Sequence, residues 1–241
     1  MTAPVVYYAV TDCRTDLIRL QADTTRKFNL DHAELVVINN GATAGMRAAI
    51  EGEVSLNGLR CAAVPPEAQN RATANETHAS ALVWAWKNVV LRDNPLVAVL
   101  YDFDMFLLAP FSVHAFMGGA TFAGWGQGHT PVNYLWPGLL FIDMQKLTDP
   151  ESVDLWCGQV AGVPVDVGGQ LHHYLVAHPS ARVKDMACHA RITRESGLDL
   201  LPAGARATYD SMFRVDVFNR AFLHYVGASG WDWPSDDLRK R

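Results

Sequence analysis

Four short apolar runs, separated by longer stretches of mixed polarity, most strongly constrain how this 241-residue chain folds. The runs cover residues 5–10, 34–39, 59–64 and 96–101 and are rich in aliphatic and β-branched residues. Such runs are typical of strands that are buried on both faces of a parallel sheet. Before the fourth run, apolar residues recur at helical spacing over residues 73–91. Strands that alternate with helices in this way predict an α/β fold.

The stretch after the first run is predicted to be a helix that ends near residue 28. Thr11 or Asp12 is expected to cap its N-terminus, because short oxygen-bearing side chains satisfy the first free amides of a helix. Leu17, Leu20 and Thr24 are expected to lie near one face of this helix.

The second half of the chain has a less regular pattern. Residues 121–124 and 138–143 are predicted to be strands, residues 167–177 a helix, and residues 203–219 have no clear assignment. No change in composition marks a linker. We therefore predict one domain over residues 1–241, with a mixed, mostly parallel sheet and helices on both faces.

Composition and charge exclude several classes of protein. The net charge is -5, so no basic surface is expected to bind nucleic acid. The four cysteines are scattered without a C-x-x-C pair, which argues against a disulfide framework and a zinc site. The N-terminus lacks the pattern of a signal peptide, and no stretch approaches the roughly 18 apolar residues of a membrane span. We therefore expect a cytoplasmic protein without a transmembrane segment.

Two aspartates one residue apart, Asp102 and Asp104, directly follow the fourth apolar run in the segment LYDFDMFLLAPF. In parallel sheets, ligands bind beyond the carboxyl ends of the strands, where Thr11 and Asp12 would lie as well. Two carboxylates at the end of a buried strand are costly to ionise unless a cation lies between them. Mg²⁺ and Mn²⁺ bind carboxylate and diphosphate oxygens. The segment therefore predicts a divalent cation site, and a turn capped by the two aspartates is the simpler alternative.

This segment resembles the D-x-D motif of nucleotide-sugar-dependent glycosyltransferases of the GT-A fold, in which an apolar strand delivers the motif to a metal under the donor diphosphate. Three further segments resemble the family in the expected order: NRATANETHASALVWAW at 70–86, NYLWPGLLFID at 133–143 and FLHYVGASGW at 222–231. The last is similar to the H-F-x-G-x-x-K-P-W ending of the retaining, glycogenin-like and galactosyltransferase-like members. The resemblance implies a hexosyltransferase that moves a sugar, with retention, from a nucleoside diphosphate to a hydroxyl group of a glycan, lipid or protein.

The resemblance also implies roles for individual residues and for the two halves of the chain. Residues 1–104 would bind the nucleotide sugar, and residues 105–241 would form the acceptor half and supply the C-terminal metal ligand. The implied metal ligands, for Mn²⁺ or Mg²⁺, are Asp102, Asp104 and His224. The implied donor contacts are Thr11, Asp12, Arg71, Asn75, His78, Asp102, Phe103 and Gly227. The implied acceptor contacts are Asn133, Trp136 and Gly138. Asp166 and Gln170 take the place of the acidic segment beside the reacting sugar, although Asp166 before a helix is also a common N-cap.

The C-terminal segment departs from the family at one position. The family has a lysine that contacts the donor phosphate before a Pro-Trp pair, and this chain has Gly230 there with no proline. Arg14, Lys184 and Arg191 are candidate replacements; alternatively, the metal holds the diphosphate without them.

Two other functions stay open from the sequence. The chain can be a sugar- or nucleotide-binding module of the same fold that has lost turnover. A D-x-D after an apolar strand also occurs in haloacid-dehalogenase-type phosphatases. In those enzymes the motif normally lies near the N-terminus, whereas here about a hundred residues precede it.

His172 and His173 are interpreted as structural or as facing the acceptor. The tryptophans that are candidates to stack on a sugar or a base are Trp125, Trp136, Trp231 and Trp233.

Overall fold

A seven-stranded sheet forms the centre of the protein in the computed structural model, which describes residues 5–129, 131–192, 197–201 and 214–226. The first half alternates strands and helices as the sequence predicts. Its elements are β1 (Val5–Thr11), α1 (Thr15–Phe28), β2 (Ala33–Asn39), α2 (Ala44–Leu56), β3 (Arg60–Ala63), α3 (Ala74–Ala85) and β4 (Val97–Asp102). Between α3 and β4, the helical path continues through a π-helical segment, Trp86–Val90, to Asp93.

The second half of the chain completes this sheet and adds two smaller ones. Its elements are β5 (Met105–Leu107), α4 (Val113–Met117), β6 (Phe122–His129), β7 (Val132–Asp143), β8 (Gly158–Val160), β9 (Val163–Val165), α5 (Leu171–Ala177), β10 (Val183–Asp185), β11 (Cys188–Ile192), β12 (Arg214–Phe218) and β13 (Phe222–Val226). The order in the large sheet is β10-β6-β7-β4-β1-β2-β3, and only the pairings of β7 with β4 and with β6 are antiparallel. A four-stranded sheet has the order β11-β12-β13-β5, and β8 pairs with β9.

Both faces of the large sheet are covered by helices. Successive side chains of a strand point to opposite faces, so β1 contributes to two separate cores. Val6 and Tyr8 pack in the core that contains Leu82 of α3, and Tyr7 packs in the core that contains Ala22 of α1. The predicted fold class, a mixed and mostly parallel sheet with helices on both faces, is therefore confirmed.

The predicted start of α1 is wrong. Thr11 is the last residue of β1 and is buried, and α1 begins at Thr15 after Arg14. Leu20 is 47% exposed because the buried stripe of α1 runs through Leu17 and Gln21 instead. On a helix of 3.6 residues per turn, Leu20 lies well to one side of that stripe.

Other predicted boundaries also change. The two short strands predicted at 121–124 and 138–143 are the paired ends of a longer antiparallel hairpin formed by β6 and β7. The helix predicted from residue 167 begins only at Leu171, so Asp166 is not its N-cap. The helix α2 has no counterpart among the predicted ranges. No helix among the described residues combines the length and the apolar composition needed to cross a bilayer.

A polar contact between β1 and the segment after α3 gives a test of fold stability. Tyr8 is fully buried, and its hydroxyl donates a 2.9 Å hydrogen bond to Asp93 Oδ2. Arg60 also donates to this carboxylate, with its Nη1 2.8 Å from Oδ1. Replacing Asp93 by alanine is expected to lower the free energy of unfolding by about 1–3 kcal/mol, because it leaves a buried hydroxyl without an acceptor.

Replacing Tyr8 by phenylalanine is the matched control. This variant removes the same hydrogen bond but leaves no buried polar group unpaired, since Asp93 keeps Arg60 as its partner. Its loss is expected to be smaller, about 1 kcal/mol. Urea denaturation measures both values, and an Asp93→Ala loss no larger than the Tyr8→Phe loss would contradict the argument.

Candidate functional site

The D-x-D motif lies where β4 ends and the chain turns into β5. Asp102 is the last residue of β4, and Phe103 and Asp104 form the turn. The side-chain amide of Gln21, on α1, donates hydrogen bonds to the carbonyls of Asp102 at 2.7 Å and Met105 at 3.1 Å. Gln21 is only 1% exposed, so one buried side chain holds the carbonyl of the first motif residue, Asp102, and the carbonyl of Met105, which follows the motif. Sequence reasoning missed Gln21, although a polar residue on the apolar stripe of α1 was a usable signal.

The C-terminal strand β13 brings His224 to this turn. β13 pairs antiparallel with β5, which places His224 opposite Met105. The Nε2 atom of His224 lies 3.5 Å from Asp104 Oδ1, and the backbone amide of Tyr225 donates to the Asp104 carbonyl at 2.9 Å. The described structure therefore brings together the three residues that the sequence resemblance implies as metal ligands.

Asp102, Asp104 and His224 form a cluster that fits a divalent cation. One ligand atom from each residue can be chosen so that all three lie within 4.8 Å of one another. Asp104 is 5% exposed, so its carboxylate has little access to water. Two carboxylates and one imidazole are suitable ligands for Mn²⁺, and carboxylate oxygens also suit Mg²⁺.

The pKa shifts of the cluster show that burial disfavours ionisation of both carboxylates. Burial raises the pKa of Asp104, and the His224 imidazole beside it offsets only part of this effect. Burial also raises the pKa of Asp102, but the His78 imidazole, with Nε2 3.2 Å from Oδ1, outweighs burial and lowers that pKa overall. Burial lowers the pKa of both imidazoles, yet the facing carboxylates outweigh it and raise both. Positive charge is therefore favoured between the two aspartates.

A cavity of about 400 Å³ opens beside this cluster, a size within the range of ligand pockets. One side of the cavity is formed by the first residues of α3 and the end of β1. Asn75 and His78 of α3 face the cavity together with Asp12. Asn40 Nδ2 donates to Asp12 Oδ1 at 2.6 Å, and burial raises the pKa of Asp12. The lining residues used below are Asp12, Asn75, His78, Asp102, Phe103, Asp104, Trp125, Gln127, Trp136, Asp166, Asp216 and His224.

Five of the described residues implied by the resemblance do not line this cavity: Thr11, Arg71, Asn133, Gly138 and Gln170. Thr11 is buried, and Arg71 donates through Nη2 to the Asn40 carbonyl and to Gln69. The backbone amide of Asn133 meets His172 Nδ1 at 3.2 Å, which gives that histidine a structural contact. Gln170 Nε2 donates to the Gln159 carbonyl on β8, at 3.2 Å. Gly227, Trp231 and Trp233 lie outside the described residues.

Gly138, predicted as an acceptor contact, has a clear steric role. It lies on β7 beside the end of β4, and a methyl group at this position would come within 2.5 Å of Asp102 Oδ2. The same methyl group would come still closer to the Trp136 ring. The absence of a side chain at Gly138 therefore allows the indole and the carboxylate to approach the same stretch of backbone.

Asp216 is a further member of the site that the sequence did not single out. It lies on β12 opposite His224, is 3% exposed, and has its Oδ2 4.0 Å from His224 Nδ1. Histidines that bind metals commonly have a carboxylate near the second ring nitrogen, which orients the ring. Polar and apolar residues alternate in the segment RVDVF, and this pattern could have indicated a strand that carries Asp216. Residues 203–219 as a whole, however, had no clear pattern.

The charged groups that line the cavity are mostly acidic. Five aspartates and two histidines face it, and no lysine or arginine does so among the described residues. Two of the three candidates for the missing phosphate-binding lysine are engaged elsewhere: Arg14 pairs with Asp16, and Lys184 Nζ donates to the Phe116 carbonyl. The side chain of Arg191 lies outside the described part. A diphosphate in this cavity would therefore depend on a bound cation for charge neutralisation.

Comparisons with known protein families and with curated proteins give no match. Among solved structures, the chain is similar to the mannosyltransferase PcManGT from Pyrobaculum calidifontis, in complex with GDP-Man and Mn²⁺. The identity is 16% and the TM-score 0.48, and the match covers 76% of this chain and 54% of that one. The chain thus spans about half the length of that enzyme.

Two further solved structures are similar to the chain. Glucosyl-3-phosphoglycerate synthase from Mycobacterium tuberculosis, in complex with Mn²⁺ and UDP-glucose, is 12% identical with a TM-score of 0.47, over 76% of this chain and 68% of that one. The galactosyltransferase LgtC, in complex with donor and acceptor sugar analogues, is 14% identical with a TM-score of 0.40, over 59% and 58%. Because all these TM-scores are below 0.5, the activity of this chain has to be inferred from its own residues.

Proposed function

We propose that the protein is a metal-dependent glycosyltransferase that uses a nucleoside-diphosphate sugar as donor and a hydroxyl group as acceptor. The observation that carries this proposal is the cluster of Asp102, Asp104 and His224, which lines a cavity whose charged groups are mostly acidic. Such a cavity favours a cation, and a cation held by only three protein groups keeps coordination positions for oxygens of a diphosphate.

The residues of the cluster would hold Mn²⁺ or Mg²⁺. We assign Asp104 and His224 as direct ligands, and Asp102 as a ligand through water or as a contact to the ribose. When bound, the metal supplies Lewis-acid stabilisation of the charge that builds on the leaving diphosphate. Gln21 holds the backbone at Asp102 and at Met105, the two ends of the turn that carries the motif, and this would keep the two carboxylates in place before the donor binds.

The first half of the chain would bind the nucleotide sugar and the second half the acceptor. Asp12, Asn75 and His78 line one side of the cavity, and we assign them to the donor. Asp166 also lines the cavity and has an exposed side chain, and we assign it to the acceptor. With retention, the leaving phosphate oxygen can take the proton of the acceptor hydroxyl. With inversion, Asp166 would be the general base. We favour retention, on the sequence resemblance alone, and the anomeric configuration of the product distinguishes the two.

A thermal-shift panel of nucleoside diphosphates and nucleotide sugars, with and without Mn²⁺, tests the proposal. A ligand that binds only the folded state raises the melting temperature. We expect at least one nucleotide sugar to raise Tm in the presence of Mn²⁺ and to have no effect after chelation with EDTA. The lack of a metal-dependent shift with every nucleotide of the panel would reject the proposed function.

A second candidate function is a nucleotide-sugar-binding module without turnover. It is favoured by the absence, among the described cavity residues, of a lysine or arginine for the donor phosphates. Metal-dependent donor binding without transfer or donor hydrolysis would identify this function.

A further inference from the structure

The cavity also has a group of lining residues that differs in chemistry from the carboxylate and imidazole cluster. The hairpin of β6 and β7 contributes Trp125, Gln127 and Trp136 to this group, and Asp166 comes from the segment before α5. The group adjoins the cluster, because the ring centroids of Trp136 and His224 lie 5.0 Å apart. Aromatic and amide side chains predominate in the group. We call these four residues the hairpin subsite.

The two indoles of the hairpin subsite are held in fixed orientations. Their ring centroids lie 6.1 Å apart at an interplanar angle of 82°. Trp136 stacks on Phe218 of β12 at 5.6 Å and 23°, and Trp125 meets the same ring edge-on at 5.7 Å. Both tryptophans are half-buried, so each keeps part of its surface for the cavity. Rigid aromatic surfaces in a concave site are suited to contact the apolar C–H faces of a sugar ring.

Hydrogen-bonding groups lie beside these indoles. The side-chain amide of Gln127 makes no hydrogen bond to another described residue, so its donor and acceptor are available to a ligand. Asp166 Oδ1 accepts from the Val167 amide at 2.7 Å, which leaves Oδ2 for a ligand hydroxyl. An amide and a carboxylate next to aromatic surfaces match a ring that carries several hydroxyl groups.

The charge of the lining selects among sugars. A carboxylate or phosphate on the ring would lie near Asp166, and in the metal-free protein no lysine or arginine of the described lining would offset the repulsion. An uncharged ring meets no such repulsion. The recognised acceptor class is therefore narrower than hydroxyl compounds in general.

We infer that the hairpin subsite binds an uncharged sugar ring, so that the acceptor is a neutral carbohydrate rather than a sugar acid or a phosphorylated sugar. The statement that this sugar is the acceptor rests on the proposed function. Binding of the sugar to the subsite can be measured without a donor.

The test uses the full-length protein without a divalent metal, so that charged probes cannot bind through a cation, and saturation-transfer-difference NMR. The probes are methyl hexopyranosides of the gluco, galacto and manno series, with their uronic-acid and 6-phosphate counterparts. At least one neutral glycoside is expected to bind with about tenfold higher affinity than its charged counterparts. Equal or tighter binding of the charged sugars, or no binding of any neutral glycoside, would overturn the inference.

Two variants and a matched control separate the subsite from general effects on folding. Trp125→Ala is expected to weaken binding of the neutral glycoside by about tenfold. Trp84→Ala is the control, because Trp84 is also half-buried but lies on α3 outside this cavity. Gln127→Lys is expected to improve the relative affinity for the uronic acid by about fivefold, since it adds a positive charge. Equal effects of Trp84→Ala and Trp125→Ala, or an unchanged preference in Gln127→Lys, would contradict the assignment.

Failure of this inference is distinguishable from failure of the proposed function. A protein that shows the Mn²⁺-dependent donor shift but binds charged sugars better keeps the proposed function and loses the inference. A protein that binds neutral glycosides but shows no donor shift keeps the hairpin subsite as a sugar site and loses the assignment as a transferase.

Discussion

Replacing Asp104 by asparagine is expected to abolish Mn²⁺ binding and to lower kcat/KM for sugar transfer by about 100-fold or more. The substitution keeps the size of the side chain and leaves the Asp104 carbonyl, which accepts from the Tyr225 amide, unchanged. It removes a negatively charged ligand from a cluster that contains only one other carboxylate and an imidazole. Electron paramagnetic resonance of free Mn²⁺ measures the affinity, and initial rates with the donor found in the thermal-shift panel measure kcat/KM.

The stability of the metal-free variant separates loss of the site from misfolding. Burial raises the pKa of Asp104, so the ionised carboxylate is disfavoured in the fold when no cation is bound. Asparagine avoids this penalty, and the melting temperature without metal is not expected to fall. Asp23→Asn, at an exposed position of α1, is the matched control and should change neither Mn²⁺ affinity nor Tm. Retention of Mn²⁺ binding by Asp104→Asn would show that the cluster is not the metal site.

The sequence predicts the first half of the fold well because one physical signal dominates there. A strand buried on both faces must be apolar throughout, and the run that forms β1 has this property. The helix α2 is not predicted, because only Ile50 and Val54 of its residues are buried and its periodic pattern of apolar residues is weak. The length of the two strands in the hairpin of β6 and β7 is underestimated, because glycines interrupt β6 and a proline lies inside β7. These residues lower strand propensity, and tertiary pairing overrides that preference.

The candidate site was only partly predictable for a different reason. Asp102 and Asp104 are recognisable locally, since they directly follow a buried strand. The segment around His224 has no local pattern beyond that of a strand, and its place beside Asp104 depends on the pairing of β13 with β5. Asp216 depends on a second such pairing, and Gln21 on the packing of α1 below the turn. Contacts between distant segments carry little signal in the local sequence. The family resemblance therefore indicated His224, and only the structure showed Asp216 and Gln21.

The site therefore depends on how closely the strands of two pairs approach each other, β5 with β13 and β4 with β7. Met105 on β5 is opposite His224 on β13, while β7 lies beside β4 with Gly138 next to the Asp102 carboxylate. Bulk added between β4 and β7 would push Asp102 away from Asp104 and His224. This dependence on backbone spacing leads to the second large effect.

Replacing Gly138 by alanine is expected to lower kcat/KM by about 10- to 100-fold and to weaken Mn²⁺ binding. The new methyl group would overlap the Trp136 ring and come within 2.5 Å of Asp102 Oδ2, so both side chains have to move. The same displacement disturbs the hairpin subsite, because Trp136 belongs to it. Mn²⁺ affinity, kcat/KM and Tm are measured on the same preparation.

Two other glycines provide matched controls for this substitution. Gly52 lies in α2 with no atom within 4 Å of an added methyl group, so Gly52→Ala is expected to raise the free energy of unfolding by about 0.5–1 kcal/mol and to leave activity unchanged. Gly124 lies in the same sheet, where the methyl group would meet the Leu139 carbonyl at 3.1 Å but no residue of the metal cluster. Gly124→Ala is therefore expected to lower Tm with little change in Mn²⁺ affinity. If Gly138→Ala lowers Tm as Gly124→Ala does and also keeps full Mn²⁺ affinity, the spacing of β4 and β7 does not position Asp102 for the metal.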